Sequence, residues 1–257
     1  MLTNYHTHHH RCRHAKGQIE DYVKEAVKNN YVEIGISCHA PYEKLPEVGT
    51  RRMRYEDLNI YFNDIENVQK KYPEIKVLKS LECEYFPKVH DYIKSLVNQT
   101  DYLILAQHYI QYDEKFEDAF HFNKPQQLEV YTDQLEEAMK TGFFKLVAHP
   151  DVFMSIYPSW DEKCEEVTHR IAKAANKYDL ILELNANGLR RGLKEYKDGE
   201  RYPYPSEKFW NIIATHYPET KVLVNSDCHE PELLNDNYMK MAREMAKRLN
   251  LNVLERL

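Results

Sequence analysis

Nowhere do the 257 residues hold an apolar run long enough to cross a membrane. The opening Met1-Leu2-Thr3-Asn4-Tyr5-His6 lacks the basic start and apolar stretch of a secretory signal. The five cysteines, Cys12, Cys38, Cys83, Cys164 and Cys228, are odd in number, scattered, and form no C-x-x-C pair. That pattern argues against a disulfide framework and an all-thiolate structural zinc site, and it predicts a reducing, cytoplasmic setting. A basic tract of the kind that follows a nucleic-acid backbone is also missing. The 35 Lys and Arg are intermixed with 41 Asp and Glu, for a formal net charge of -6. No internal repeat, low-complexity tract or linker interrupts the chain, so residues 1–257 are expected to form one domain.

What is present suffices for one sizeable core, since 42% of the residues are apolar and 30% are charged. Short runs rich in Ile, Leu and Val, of the composition buried parallel strands favour, lie at Asn4 to His8, Glu33 to His39, Ile75 to Glu82, Tyr102 to His108, Lys145 to His149, Leu180 to Asn185 and Lys221 to Asp227. Between them run amphipathic stripes: Ile19, Tyr22, Val23, Ala26 and Val27; Leu58, Tyr61, Phe62, Ile65 and Val68; Leu128, Tyr131, Leu135, Ala138 and Met139. A last helix is expected from about Asp236 to Leu249. This alternation predicts an α/β protein of seven βα units. A barrel brings the C-terminal ends of all its strands to one face, whereas an open sheet spreads them along an edge. Each of these runs ends on or near His, Glu, Asn or Asp, which favours the barrel.

The chemistry sits at those ends. His6 and His8 lie two apart, so in an extended strand both imidazoles point to one side. His14 follows in a loop. His39, Glu82, His108 and His149 close four successive strands, and Asp227 and His229, again two apart, close the last. One such residue alone reads as an ordinary core or surface group. A set repeated at the ends of apolar strands reads as a metal centre. Imidazole nitrogen with carboxylate oxygen suits zinc, manganese or iron(II). His9 should point away from the His6/His8 side, and His10 belongs to the loop. His90, His121, His169 and His216 read as packing or surface residues.

The motifs His6-Thr7-His8, Ser37-Cys38-His39-Ala40-Pro41, Leu81-Glu82-Cys83-Glu84-Tyr85, Ala106-Gln107-His108, Ala148-His149-Pro150 and Asn225-Ser226-Asp227-Cys228-His229 resemble those of the polymerase and histidinol phosphatase (PHP) family. Leu182-Glu183-Leu184-Asn185-Ala186-Asn187-Gly188-Leu189-Arg190 is similar to the sixth-strand motif of its histidinol-phosphatase branch. The resemblance spans essentially the whole chain and implies a distorted (β/α)7 TIM-like barrel with about three divalent metal ions. It also implies how the ligands divide. His6, His8, Glu82 and Asp227 would hold one ion. Glu82, as a bridge, would hold a second with His108 and His149. His14, His39 and His229 would hold the third. Glu84 is the rival to Glu82 and otherwise a supporting residue.

The resemblance further implies hydrolysis of L-histidinol phosphate to L-histidinol and phosphate in histidine biosynthesis, by in-line attack of metal-bound hydroxide, with Glu82, Asp227 and His229 carrying the catalysis. Other phosphoesterase substrates, such as nucleotides or sugar phosphates, are the alternative. A proofreading module of a larger polymerase and a metal-storage role fit less well. Arg190 follows the sixth strand between glycines and is expected to aim its guanidinium at phosphate, ahead of Arg191. Asn185 is expected to contact substrate or support a ligand, and Glu43 or Asp161 to meet the substrate's ammonium. The expected partner is thus a small phosphorylated molecule, with neither nucleic acid nor membrane; nothing in the residues indicates an oligomeric state.

Overall fold

In a computed structural model, which describes residues 2–112 and 115–257, strands and helices alternate as expected. The strands are β1 (Leu2–Asn4), β2 (Tyr31–Ile36), β3 (Lys76–Cys83), β4 (Tyr102–Leu105), β5 (Tyr109–Tyr112), β6 (Lys115–Asp118), β7 (Leu146–Val147), β8 (Ile181–Asn185), β9 (Lys194–Tyr196), β10 (Gly199–Arg201), β11 (Lys221–Asn225) and β12 (Asn252–Val253). The helices are α1 (Ile19–Lys28), α2 (Leu58–Lys71), α3 (His90–Val97), α4 (Pro125–Lys140), α5 (Glu162–Lys177), the short α6 (Asn187–Arg190), α7 (Glu207–His216) and α8 (Asn237–Arg248).

One eight-stranded parallel sheet runs β1-β2-β3-β4-β7-β8-β11-β12. Six of its strands overlap the apolar runs; β1 meets the run Asn4 to His8 only at Asn4, so His6 and His8 lie just beyond the strand. Its curl nearly brings β11 back to β1. At the top, a parallel bridge between Thr7 and Cys228 and the bond from His8 N–H to Cys228 C=O (3.0 Å) close the seam. Just below, side-chain amides replace the ladder: Tyr5 N–H donates to Asn225 Oδ1 (2.8 Å) and Ser226 N–H to Asn4 Oδ1 (2.6 Å). Lower still the C-terminal segment fills the gap. β12 pairs with β11, and the backbone N–H of Leu257 donates to the Tyr5 hydroxyl (3.0 Å). The barrel is therefore distorted where two strands meet through side chains and a tail.

Side-chain parity explains how the sheet builds both a core and a site. Tyr102, Ile104 and Ala106 on one face of the β4 segment pack with Leu78, Leu146, Ala148, Ile181 and Leu223 in the barrel interior. The alternate residues Leu103 and Leu105 join the larger core between sheet and helices. Continuing each inward series two residues at a time leads to polar groups at the top: Leu78, Ser80 and Glu82; Ile181, Glu183 and Asn185; Leu223, Asn225 and Asp227. Outside, the predicted stripes of α1, α2 and α4 are buried, except that Val27 at the edge of the α1 stripe is only partly so. α8 starts at Asp236, whose carboxylate accepts from Met239 N–H (2.8 Å) as an N-cap. Two antiparallel hairpins, β5/β6 and β9/β10, lie outside the main sheet and were not foreseen. No helix among the described residues is long and apolar enough to cross a membrane.

Candidate metal centre

Glu82 stands at the middle of the barrel mouth, buried, with its backbone N–H donating to the carbonyls of Ser37 and Cys38 (3.1 Å each). Its Oε1 lies 3.2 Å from His6 Nε2, 3.4 Å from His108 Nε2 and 3.3 Å from His149 Nε2. Its Oε2 lies 2.7 Å from His39 Nδ1 and 3.5 Å from His8 Nε2. On the other side, Asp227 Oδ1 is 3.0 Å from His8 Nε2 and 3.6 Å from His6 Nε2. His14 and His229 complete the rim, their Nε2 atoms 3.0 Å apart. The structure thus brings together every histidine and carboxylate expected to bind metal.

The backbone strains to achieve this. His149 and Asp227 both have positive φ, 29° and 47°. Such conformations are uncommon for side-chain-bearing residues and recur where surroundings hold a functional group in place.

Outer partners set which ring nitrogen faces inward. The Nδ1 of His6 meets Glu183 (2.9 and 3.1 Å), that of His108 meets Glu84 (2.9 Å), and those of His14 and His229 meet the carbonyls of Cys12 (2.9 Å) and Asp227 (3.2 Å). A proton held there leaves the Nε2 lone pair directed at the centre. His39 is reversed, presenting Nδ1. Glu183 is the organising group that the sequence reading did not assign. It also accepts from His149 N–H (3.1 Å), Asn185 (2.7 Å) and Asn225 (2.9 Å). Its signal was a lone acid in the apolar strand Ile181-Leu182-Glu183-Leu184. Glu84 accepts two bonds from Arg52 (3.0 Å each); burial alone would raise its pKa, but Arg52 and His108 outweigh that and bring it to about 2.

The donor set fits cations. Glu82 Oε2, Asp227 Oδ1 and His39 Nδ1 are buried with no hydrogen-bond partner among the described residues. The 2.7 Å approach of His39 Nδ1 to Glu82 Oε2 is not aligned as a hydrogen bond, as expected for two ligands converging on a third atom. Beside a His8/Cys12/Cys38 group, three further clusters among the described residues have ligand atoms within 4.8 Å of one another: His6/His8/Asp227, His39/Glu82/His108 and His8/His39/His229. These overlap the expected division, with His8 also reaching the outer group.

Asn185 is buried and turned to the ligands: its Nδ2 donates to Glu183 and to Asp227 Oδ2 (3.1 Å). Its amide donor is thus committed to two carboxylates of the cluster. For Arg190 the expectation is corrected. Its guanidinium pairs with Asp236 (2.8 and 3.1 Å) and donates to the Ser226 carbonyl (2.5 Å), the Ser226 hydroxyl (2.8 Å) and the Leu233 carbonyl (2.9 Å). Most of its donors are thereby committed within the fold, and the group ties the loop after β11 to the start of α8. Arg191 faces the mouth, as does the exposed Arg51 across the cavity lining, while Arg52 is committed to Glu84. Arg191 is exposed, lines the cavity of about 320 Å³ above the ligands, and lies over the Phe120 ring at 4.6 Å. Glu43 and Asp161 do not line that cavity, whereas Asp118 and Glu230 do. Asp161 caps α5 by accepting from Cys164 N–H (3.0 Å). His9 is buried away from the ligands, its ring 5.1 Å from that of Tyr61.

Comparison with known proteins agrees with this arrangement. The chain is 23% identical over 254 residues to a Schizosaccharomyces pombe protein named as a probable histidinol-phosphatase, covering 88% of this chain and 80% of that one. A crystal structure of histidinol phosphate phosphatase (HisK) from Lactococcus lactis, complexed with zinc, L-histidinol and phosphate, superposes with a TM-score of 0.74 at 18% identity, covering 98% of this chain and 95% of that one. The Listeria monocytogenes HisK structure gives 0.76 at 19% identity, over 93% and 99% of the two chains. At these identities the structural likeness establishes the fold. The PHP domain profile matches residues 4–187, and this chain belongs to the PHP domain family.

Proposed function

We propose that this chain is a metal-dependent phosphatase whose substrate is L-histidinol phosphate. The observation that carries the reading is the convergence of unpartnered carboxylate and imidazole atoms on one cavity that also holds a free-facing guanidinium. About three divalent ions, zinc with manganese or iron as alternatives, would be held by His6, His8, His14, His39, Glu82, His108, His149, Asp227 and His229. Bound there, such ions would neutralise phosphoryl oxygens and lower the pKa of water. The chain's own residues do the rest. Glu183 and Glu84 fix the ring orientation of His6 and His108. Asn185 and Asn187 both donate to Asp227 Oδ2 (3.1 and 3.3 Å), leaving Oδ1 to face inward. Arg191 replaces Arg190 as the group that meets the phosphate, where its planar fork suits the geometry.

The names of the relatives support histidinol phosphate over other monoesters. The cavity's own lining adds acidic groups, Asp118 and Glu230, that an ammonium would have to share with His121 and Lys16, and an aromatic ring, Phe120, beside Arg191 and His108. A site that pairs such groups should reject analogues lacking them, because its own polar groups would be left unpaired. The residues that would bind metal run from His6 to His229, which supports one catalytic unit over residues 1–257. The five cysteines, all buried and free, fit a cytoplasmic setting. Metal-loaded protein should show a kcat/KM for L-histidinol phosphate well above those for a mononucleotide and a sugar phosphate. A ratio near or below one for either competitor would sink the substrate while leaving the metal phosphatase standing.

A further inference from the structure

We propose that the Tyr204 hydroxyl donates a hydrogen bond to the substrate's phosphoryl group, as a second donor beside Arg191; this rests on the phosphatase reading above. Tyr204 lines the same cavity as His149, Asp227 and Arg191. Its side chain is buried, and its hydroxyl proton has no acceptor among the described residues; its polar neighbour is the Arg191 guanidinium, which can only donate. A buried donor left without an acceptor is costly, so such a group calls for a partner. Around this cavity the other orphaned atoms include Glu82 Oε2 and Asp227 Oδ1, which await cations. A hydroxyl among them awaits something else.

The neighbours indicate what. The Arg191 guanidinium lies 5.7 Å from the Tyr204 ring centre and 4.6 Å from that of Phe120. Arginine has no acceptor, so it cannot take the tyrosine's proton in a hydrogen bond. An anionic oxygen between the two would satisfy both donors at once. A phenol keeps its proton near neutral pH, so the hydroxyl is a donor there. The ring cannot withdraw. A Cβ on Gly188 would stand 2.1 Å from the Tyr204 carbonyl oxygen and 2.4 Å from its Cδ2, so the α6 backbone is packed directly against it. The His149 ring, 6.0 Å away between centres, holds the other side. The hydroxyl is thus presented at a fixed place beside the candidate ligands.

Tyr204→Phe keeps the ring and removes one oxygen. Inorganic phosphate should bind the metal-loaded variant about 10- to 100-fold more weakly than wild type, the loss expected for one bond to a charged group. Calorimetry and competitive inhibition both read this. L-histidinol, which lacks the phosphate, should bind unchanged, and metal content should be unchanged. Because the hydroxyl proton has no acceptor in the fold, the melting temperature should hold or rise. Unchanged phosphate affinity overturns the contact. So does equal loss of phosphate and L-histidinol affinity, loss of metal, or a marked fall in melting temperature, each of which would make the hydroxyl structural. Wild-type protein that binds no inorganic phosphate overturns it as well. Protein that binds phosphate through Tyr204 but hydrolyses no monoester would instead sink the phosphatase reading alone.

Discussion

Arg190 and Arg191 are chain neighbours with opposite duties. Adjacent residues on a helix diverge by about 100°, so the short α6 turns one guanidinium toward Asp236 and the other toward the cavity. Their replacements should separate cleanly. Arg190→Ala leaves Asp236 and two carbonyls without their partner in a largely buried place, and should cost about 3 kcal/mol in a denaturant titration, with little specific effect on phosphate affinity. Arg191→Ala should leave stability nearly unchanged and raise KM for a phosphorylated substrate about 10-fold or more. The reverse pattern would return Arg190 to the substrate. This is also where the sequence was least legible at the residue scale. The strand-end ligands stand out because polar groups there interrupt apolar runs. Which of two arginines enters a cavity depends on one turn of helix whose direction no local pattern reveals.

Elements were read more securely where their periodicity was long. The stripes of α1, α2 and α4 and the start of α8 lie where the spacing of apolar residues puts them. Strands were read too long at their C-terminal ends. β4 stops at Leu105 and β7 at Val147, so His108 and His149 lie beyond the ladders in loops. The apolar pattern continues past the pairing because those residues still pack inward. The β5/β6 and β9/β10 hairpins escaped notice because strands of three or four mixed residues carry too short an alternation. The junction of β8 with α6 offers a test at this scale. Gly188 is needed there for close approach, not for an unusual backbone angle. Gly188→Ala must push α6 away from the Tyr204 backbone and should lower stability by about 1–3 kcal/mol or more. It should also weaken phosphate binding, since Tyr204 and Arg191 would both shift. An alanine variant as stable as wild type would show that this contact has slack.

The whole molecule gathers several buried imidazoles around two carboxylates, and their proton balance links the barrel to its ions. Burial alone would lower the pKa of His6, but Glu183, Asp227 and Glu82 outweigh it and hold it well above the ordinary value. His8, also opposed by burial, is brought up to about 9 by Asp227, Cys12 and Glu82. His39 and His229 go the other way, burial taking them down to about 4 and about 3. These directions make His6 and His8 imidazolium cations at pH 7 in the metal-free chain, and leave His39 and His229 as neutral imidazoles. Glu82 and Asp227, pushed up by burial but drawn down further by the histidines, stay ionised. A cation needs the neutral imidazole, so loading must expel the protons on His6 and His8, with His108, also raised, able to add to the release. Apparent affinity should climb with pH from 7 through about 9, where His8 is half deprotonated, and the contribution of His39 and His229 should be flat over that range. Zinc titrations of the metal-free protein at pH 7, in buffers of different ionisation enthalpy, should give a release of about two protons per fully loaded chain. Bound metal should raise the melting temperature in the same samples, because ions that bind only the folded barrel stabilise it by mass action. Heats of binding that do not depend on the buffer would mean that His6 and His8 are already neutral, and that the carboxylates around them do not act as this geometry requires.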